Sequence, residues 1–469
     1  MQDQDTAIPP EAAFADNVDV RTESASPFDE YQLAVDRRVA GQSGREDLIR
    51  VRSAHLWLPL AISLSIAAAY LSTVAFGFVY DDEGQILANP LIRSWRHIPD
   101  FFTRNVWGFD PTSGANYYRP VFLLWLFVNR FLFGLHPGPW HLAAVGLHIV
   151  CALLVYGITL KLGRNLMLAA ATGLIFALHP VHIQAVAWIS GANESLMAVF
   201  LLLAYACYLN SSGIFGEGSG RSKLSGGGWA ILSTAMYGLA LLTKETAIIF
   251  PIIVLGTGWI YGRKIPTVGR SFLFGLKRAL PYAALAVIYC LVHILVLGFP
   301  HAVTSLSKLS LLYTWPGVAW SYVRLLLWPV GLSLLYTSHY LAAFEIRQVL
   351  APAAAIILLA AMILFCCRRY LTGDQRRLAG VAALWMVLPM LPLADLRFLP
   401  QDQVIQDRYL YLPSIGFSLL VAIAVTKISG RGPVLFGQPA RLVLAVAVLS
   451  VFLGALTASQ AIYWANDLL

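Results

Sequence analysis

The stretch Phe78-Val79-Tyr80-Asp81-Asp82-Glu83 closes an apolar run that begins at Leu56, and that run is long enough to cross a bilayer. Three consecutive carboxylates at the mouth of a membrane helix are costly to desolvate, which makes them a functional-site expectation. The plainer reading is that Asp81, Asp82 and Glu83 are only the first wet residues past the membrane.

Outward from this stretch, apolar runs recur over nearly all of the 469 residues, at 121–133, 139–160, 166–179, 195–210, 229–243, 246–262, 279–299, 311–329, 347–367, 379–394, 410–428 and 441–463. The chain is 58% hydrophobic and only 12% charged, with mean hydropathy +0.67. A soluble domain carries about twice that charged fraction. The expectation is an all-α, polytopic membrane protein. Its net charge of +8 then reads as topology rather than as a nucleic-acid footprint. Met1 to Arg52 is polar, lacks periodicity and has no apolar segment of a signal peptide, so 1–52 reads as a disordered cytoplasmic tail and 53–469 as the membrane domain. The five cysteines (Cys151, Cys207, Cys290, Cys366, Cys367) lie in apolar runs without metal spacing and read as packing residues.

Charge decides which runs span. Six loops (Arg37 to Arg52, Lys161 to Arg164, Arg221 to Lys223, Arg263 to Arg278, Arg368 to Arg377, Lys427 to Arg441) hold 21 of the 33 basic residues. All six face the cytoplasm only if two runs do not cross. The candidates are 121–133, which is short and contains Asn129 and Arg130, and 311–329, which is interrupted by Pro316 and Arg324. Treated as interfacial or re-entrant, they leave about eleven spans. In the loop Tyr80 to Arg119, the segments Ile92–Ile98 and Phe101–Trp107 read as short helices in the interface.

This parity places nearly every other charge and histidine on one surface: Asp81-Asp82-Glu83, Tyr117-Tyr118-Arg119, His179-Pro180-Val181-His182, Asn193-Glu194, Lys244-Glu245 and Asp407-Arg408-Tyr409. Between the first and last spans only Glu217 and Asp374 fall on the basic side. The expected site is extracytoplasmic, with the N-terminus cytoplasmic and the C-terminus outside, in a bacterial inner membrane or the endoplasmic reticulum.

Paired carboxylates can act as a general base, and like charge should raise one of their pKa values. Arg119, Lys244, Arg408 and Arg324 can bind phosphate. The plain alternatives are a wet hairpin turn for Lys244-Glu245 and interface anchoring for His179 and His182. No Walker A or dinucleotide fingerprint occurs, so a soluble nucleotide donor is unsupported. An anionic lipid-linked substrate suits the layout, with its tail in the bilayer and its phosphate at the helix ends. No cofactor is certain. Asp81, Asp82, Glu194 and the histidines are of types that hold a divalent metal ion, but no ligand spacing specifies one. A lipid-linked sugar transporter or flippase is the alternative function, and it calls for polar residues on discontinuous helices near mid-bilayer. A membrane scaffold is a third reading.

The motifs Phe78-Val79-Tyr80-Asp81-Asp82, Tyr117-Tyr118-Arg119-Pro120, Leu178-His179-Pro180-Val181-His182-Ile183-Gln184-Ala185-Val186, Leu242-Thr243-Lys244-Glu245 and Asp407-Arg408-Tyr409-Leu410-Tyr411-Leu412-Pro413-Ser414-Ile415-Gly416 occur in that order. Together they resemble the membrane domain of the transmembrane and tetratricopeptide-repeat (TMTC) O-mannosyltransferases and their bacterial relatives, of the GT-C class, over about residues 56 to 469. Gly191-Ala192-Asn193-Glu194 departs from the family pattern, and the 34-residue period of tetratricopeptide repeats is not found in this sequence. The resemblance implies a GT-C-like bundle and an inverting transfer of a sugar, such as mannose, from polyprenyl phosphate to protein hydroxyl groups. It implies Asp81 or Asp82 as catalytic base. Substrate would be bound by Tyr118, Arg119, His179, His182, Glu194, Lys244, Glu245 and Arg408, with Arg408 on the lipid phosphate. The implied partners are a polyprenyl-phosphate-linked sugar, a protein or peptide acceptor and the bilayer, with no nucleic acid.

Overall fold

The computed structural model describes residues 56–113, 116–214, 224–262, 268–299, 302, 304–336, 339–399, 404–427, 433–436 and 438–466. The tail expected over 1–52 lies outside the described residues. Helices dominate: α1 (Leu56–Ala75, ending in a 3-10 turn), α2 (Pro120–Phe133), α3 (Pro137–Gly163), α4 (Leu166–Leu178), α5 (Asn193–Ser211), α6 (Gly226–Thr243), α7 (Phe250–Gly262), α8 (Val268–Leu297), α9 (Lys308–Leu327), α10 (Ile346–Tyr370), α11 (Gly373–Val387), α12 (Pro413–Val425) and α13 (Ala440–Ala461). Among the described residues the only strands are the two-residue pair β1 (Val434–Leu435) and β2 (Gln438–Pro439).

Proline and polar caps set the helix boundaries. Asn165 caps α4 by accepting from the Leu168 amide at 2.8 Å. The helix stops at His179 because Pro180 has no amide to continue the ladder, and the chain resumes over Pro180–Val186 after a bend of 53°. Pro120, Pro137 and Pro413 each sit in the first turn of their helices, where the missing amide costs nothing.

Eight helical segments among the described residues are long and apolar enough to span a membrane, or nine when Leu166–Leu178 and Pro180–Val186 count as one broken span. The expected eleven is not reached. Of the two missing, 229–243 forms α6, whose first turn of three glycines dilutes its apolar character. The run 410–428 yields only α12, because Asp407–Leu410 is a 3-10 turn and Pro413 starts the helix afresh. Its 13 residues span about 20 Å against a hydrocarbon core of about 30 Å. The run 121–133 lies in the short helix α2, and 311–327 lies in the continuous helix α9 in spite of Pro316.

The main core is formed where α3, α4 and α5 pack together, with α12 against α4 and α6 against α5. A second apolar cluster sits under the first loop, where Ile86, Leu91, Ile92 and Phe101 meet Phe122, Leu123 and Leu126 of α2. This loop is helical over Glu83–Ala88, Leu91–Arg93, Trp95–His97 and Ile98–Phe101. The helix expected over Phe101–Trp107 does not form beyond Phe101. Asn105 instead accepts the Trp107 amide at 2.7 Å on its own side chain, a turn that competes with a helical ladder.

A candidate active site at the ends of the helices

Asp82 is fully buried. Its Oδ1 accepts from the Ser190 amide at 2.7 Å and the Ser190 hydroxyl at 2.5 Å, and its Oδ2 accepts from the Val79 amide at 3.3 Å. Burial pushes its pKa up to about 7, the bonds from Ser190 and Val79 oppose the rise, and the charge of Asp81 adds least. A raised carboxyl is therefore present as expected, but burial rather than like charge is its main cause. Ser190 can reach so deep because Gly191 lies hard against the Gln184 carbonyl, which a Cβ there would approach to 2.1 Å.

Asp81 is half-buried. Burial raises its pKa, and the positive fields of Arg408 and Arg119 pull it back. Tyr80, immediately before it, has φ +53, a left-handed conformation that costs an L-residue about 1–2 kcal/mol. Strain of this kind persists where the surroundings over-determine it, often beside reacting groups. Glu83 is exposed and opens the short π-helix Glu83–Ala88.

Arg119 and Arg408 act on Asp81, and Lys244 lies within the field of both, the three being in unlike states. Arg119 is clamped in two-pronged fashion by Glu245, at 3.0 Å through Nε and 2.5 Å through Nη2, and lies 4.4 Å over the Tyr117 ring. Lys244 is ion-paired to Glu194, both side chains being 4% exposed, with its Nζ 5.4 Å from the Tyr409 ring centre. Burial lowers the Lys244 pKa to about 8 against the pull of Glu194. Arg408 makes no ion pair among the described residues. Its guanidinium is held instead by two aromatic faces, Trp188 at 4.8 Å and Tyr409 at 5.7 Å, while its backbone amide donates to Gln184 Oε1 at 3.2 Å. Its neighbour Asp407 is buried, accepts from the Tyr336 hydroxyl at 2.5 Å, and is pushed up to about 7 by burial.

The remaining candidates are bonded inside the protein. His179 takes the Val181 amide on Nδ1 at 3.4 Å and meets the Leu326 carbonyl through Nε2 at 3.0 Å. His182 Nε2 lies 2.7 Å from the Ser414 hydroxyl. No bond or ion pair links either ring to Asp81 or Asp82. The Tyr118 hydroxyl donates to the Phe102 carbonyl at 3.1 Å, and the tyrosine beneath Arg119 is Tyr117. Ser190, Trp188 and Tyr336 lie outside the quoted motifs and carried no signal in the sequence. Tyr117 and Gln184 lie within them, as neighbours of Arg119 and His182, but without a role of their own.

Among the described residues no group of three or more His, Cys, Asp or Glu side chains could hold a metal ion. Asp82, the most buried carboxylate of the site, has its oxygens taken by Ser190 and Val79. The side chains present therefore do not form a metal cradle, and no step is routed through one. What they offer is a half-buried carboxylate, a guanidinium with no ion pair among the described residues, and two ion pairs beside them, one buried and one half-buried.

No family model matches the chain. The mouse protein O-mannosyl-transferase TMTC3 is 29% identical over 408 residues, covering 78% of this chain and 42% of its own length. A Caenorhabditis elegans protein O-mannosyl-transferase, F38B6.6, is 27% identical over 390 residues, covering 79% of this chain and 51% of its own. The chain thus spans about half the length, or less, of these curated relatives. Among solved structures, the Archaeoglobus fulgidus oligosaccharyltransferase tethered with an acceptor peptide superposes with a TM-score of 0.51 at 13% identity, over 88% of this chain and 55% of that one. The chain resembles the TMTC protein O-mannosyl-transferases over most of its length, and its fold is the GT-C-like bundle that the sequence implied.

Proposed function

We propose that the protein is a membrane glycosyltransferase that moves a sugar, mannose by the resemblance, from a polyprenyl-phosphate carrier to hydroxyl groups of a protein acceptor. The observation that carries this is the contrast among the cations: Arg119 and Lys244 are neutralised by Glu245 and Glu194, whereas Arg408 faces Asp81 without a carboxylate of its own. A guanidinium held by ring faces keeps its forked donors available for a phosphate.

In this reading Asp81 is the base, and Asp82, whose oxygens are already engaged, fixes the turn that presents it. Asp81 takes the proton of an acceptor hydroxyl, and that oxygen attacks the anomeric carbon on the face opposite the phosphate. The bond from the sugar to the phosphate oxygen breaks, and the phosphate departs with the electron pair, its charge stabilised by Arg408 and the nearby Arg119. Attack from the opposite face inverts the anomeric centre. Lys244, Glu194 and Glu245 hold the cations in register, and Tyr118, His179 and His182 shape the walls behind them. The site would open on the extracytoplasmic side, with the basic loops in the cytoplasm.

The test incubates the purified full chain with radiolabelled polyprenyl-phosphate-mannose and acceptor peptides, with and without EDTA. Label in the peptide, with undiminished yield in EDTA, is expected. Translocation of the labelled lipid across vesicles without peptide labelling would overturn the reading in favour of a flippase.

A further inference from the structure

Side chains from four distant parts of the sequence form one continuous stack. The Tyr80 ring meets Trp464 edge-on at 5.9 Å. Trp464 lies face to face with Trp188 at 5.8 Å and 22°. The far end of the stack is the Arg408 guanidinium, 4.8 Å from Trp188. Both indoles are buried, 4% exposed for Trp188 and 7% for Trp464. The Trp188 Nε1 has no hydrogen-bond partner among the described residues, where this indole is held by its faces and not by its polar edge.

The base of the stack is fastened at two points. The Gly77 amide donates to the Ala465 carbonyl at 3.1 Å, which ties the chain just before Tyr80 to the residue just after Trp464. Thr457 of α13 donates to the Leu178 carbonyl at 2.8 Å, beside the break that leads to Trp188. One end of this stack is therefore the residue adjoining Asp81, and the other is the guanidinium facing it.

We infer that Trp464 is a positioning residue, which through Tyr80 and Trp188 sets the separation between the Asp81 carboxylate and the Arg408 guanidinium. It touches no reacting atom in this scheme. Removing the Trp464 ring takes away the face against which Tyr80 packs edge-on and leaves Arg408 on a ring supported from one side only. The inference rests on Arg408 as the phosphate-binding group, so two readouts are needed.

The first is binding of polyprenyl phosphate, without sugar, to the detergent-purified full chain. Trp464→Ala is expected to weaken binding about tenfold, Trp464→Phe to restore it to within about threefold, and Trp464→Ala in an Arg408→Ala background to cost less than about twofold more, since the two residues act as a unit. The same loss in both backgrounds, or no loss in either, overturns the inference, because a merely structural tryptophan adds its effect independently. The second readout is the unfolding midpoint of wild type, Trp464→Ala, Arg408→Ala and the double variant without ligand, where a non-additive shift is expected and strict additivity counts against the stack. Failure of the wild-type protein to bind polyprenyl phosphate would refute the lipid-phosphate reading, and the midpoint cycle would still decide for or against the stack.

Discussion

The Ser190 hydroxyl and amide both donate to a single oxygen of Asp82, at 2.5 and 2.7 Å, across more than a hundred residues of sequence. That pairing divides the labour between two adjacent aspartates. Asp82 is spent on holding the turn after the first span against the turn before α5, and Asp81 is left to face the cations.

Asp81→Asn and Asp82→Asn should therefore fail differently. Loss of a general base lowers kcat by about 10²–10⁴-fold, and Asp81→Asn should do so with normal membrane insertion and an unchanged unfolding midpoint. Asn at position 82 can still accept from Ser190, so Asp82→Asn should reduce kcat by less than about tenfold. Steady-state kinetics with a lipid-linked sugar decide this, and wild-type rates in Asp81→Asn would remove Asp81 as the base.

Acid should favour the native forms of Asp82 and Asp407. Both are pushed up to about 7, above the ordinary carboxylate value near 3.9 that the unfolded chain keeps. Between those values these two groups bind more protons in the native state than in the unfolded one, so their contribution to stability is fully present below about pH 4 and is lost as pH rises toward 7. The difference in unfolding midpoint between wild type and Asp82→Asn in detergent should therefore move against the wild type from pH 5 to pH 8, and a difference independent of pH would remove Asp82 as a raised carboxyl. Activity should run the other way, lost as acid protonates Asp81 through its raised pKa.

Arg408 should be irreplaceable by lysine. Hydrogen bonds to a charged group contribute about 1.5–3 kcal/mol, so Arg408→Ala should raise the KM for the lipid donor by about 10- to 100-fold. Arg408→Lys keeps the charge but neither the fork nor the stacking on Trp188 and Tyr409, and should recover little. A near-normal KM in Arg408→Lys would assign the phosphate elsewhere.

The Lys244–Glu194 pair should be more dangerous to break than to delete. Removing one partner leaves a buried charge alone, at a cost of about 3–5 kcal/mol, so Lys244→Met should express poorly and melt early. The double change Lys244→Met with Glu194→Leu should recover most of that loss. Thermal unfolding of the single and double variants measures the difference, and equal stability in Lys244→Met would mean that the pair carries no load.

Much of this was legible in the sequence. Hydropathy marked the helices, the order of five polar motifs marked the class of fold, and Asp81, Arg119, Glu194, Lys244, Glu245 and Arg408 do meet in one cluster. Residue type alone could not tell which carboxylate is sequestered, because that depends on Ser190, an unremarkable serine until the chain folds. Nor could it separate the histidines from the cluster: His179 and His182 share a motif with Gln184, which does reach Arg408, but their rings turn to Leu326 and Ser414. The span count slipped for a related reason, since hydropathy sees Leu410 to Leu412 as apolar while a 3-10 turn ends at Leu410 and the helix starts afresh only at Pro413.

The bond from Gly77 to Ala465 joins residues at almost opposite extremes of the described chain. During synthesis the first span is in the bilayer long before α13 has been made. Until α13 inserts, the Tyr80–Asp81 turn has no partner with which to form that contact or the stack on Trp464. The Gly77–Ala465 bond and the stack on Trp464 thus form only once α13 has been made, and a nascent chain carries its aspartates without this geometry until then. Contacts of such separation close slowly, so maturation of activity should lag behind insertion.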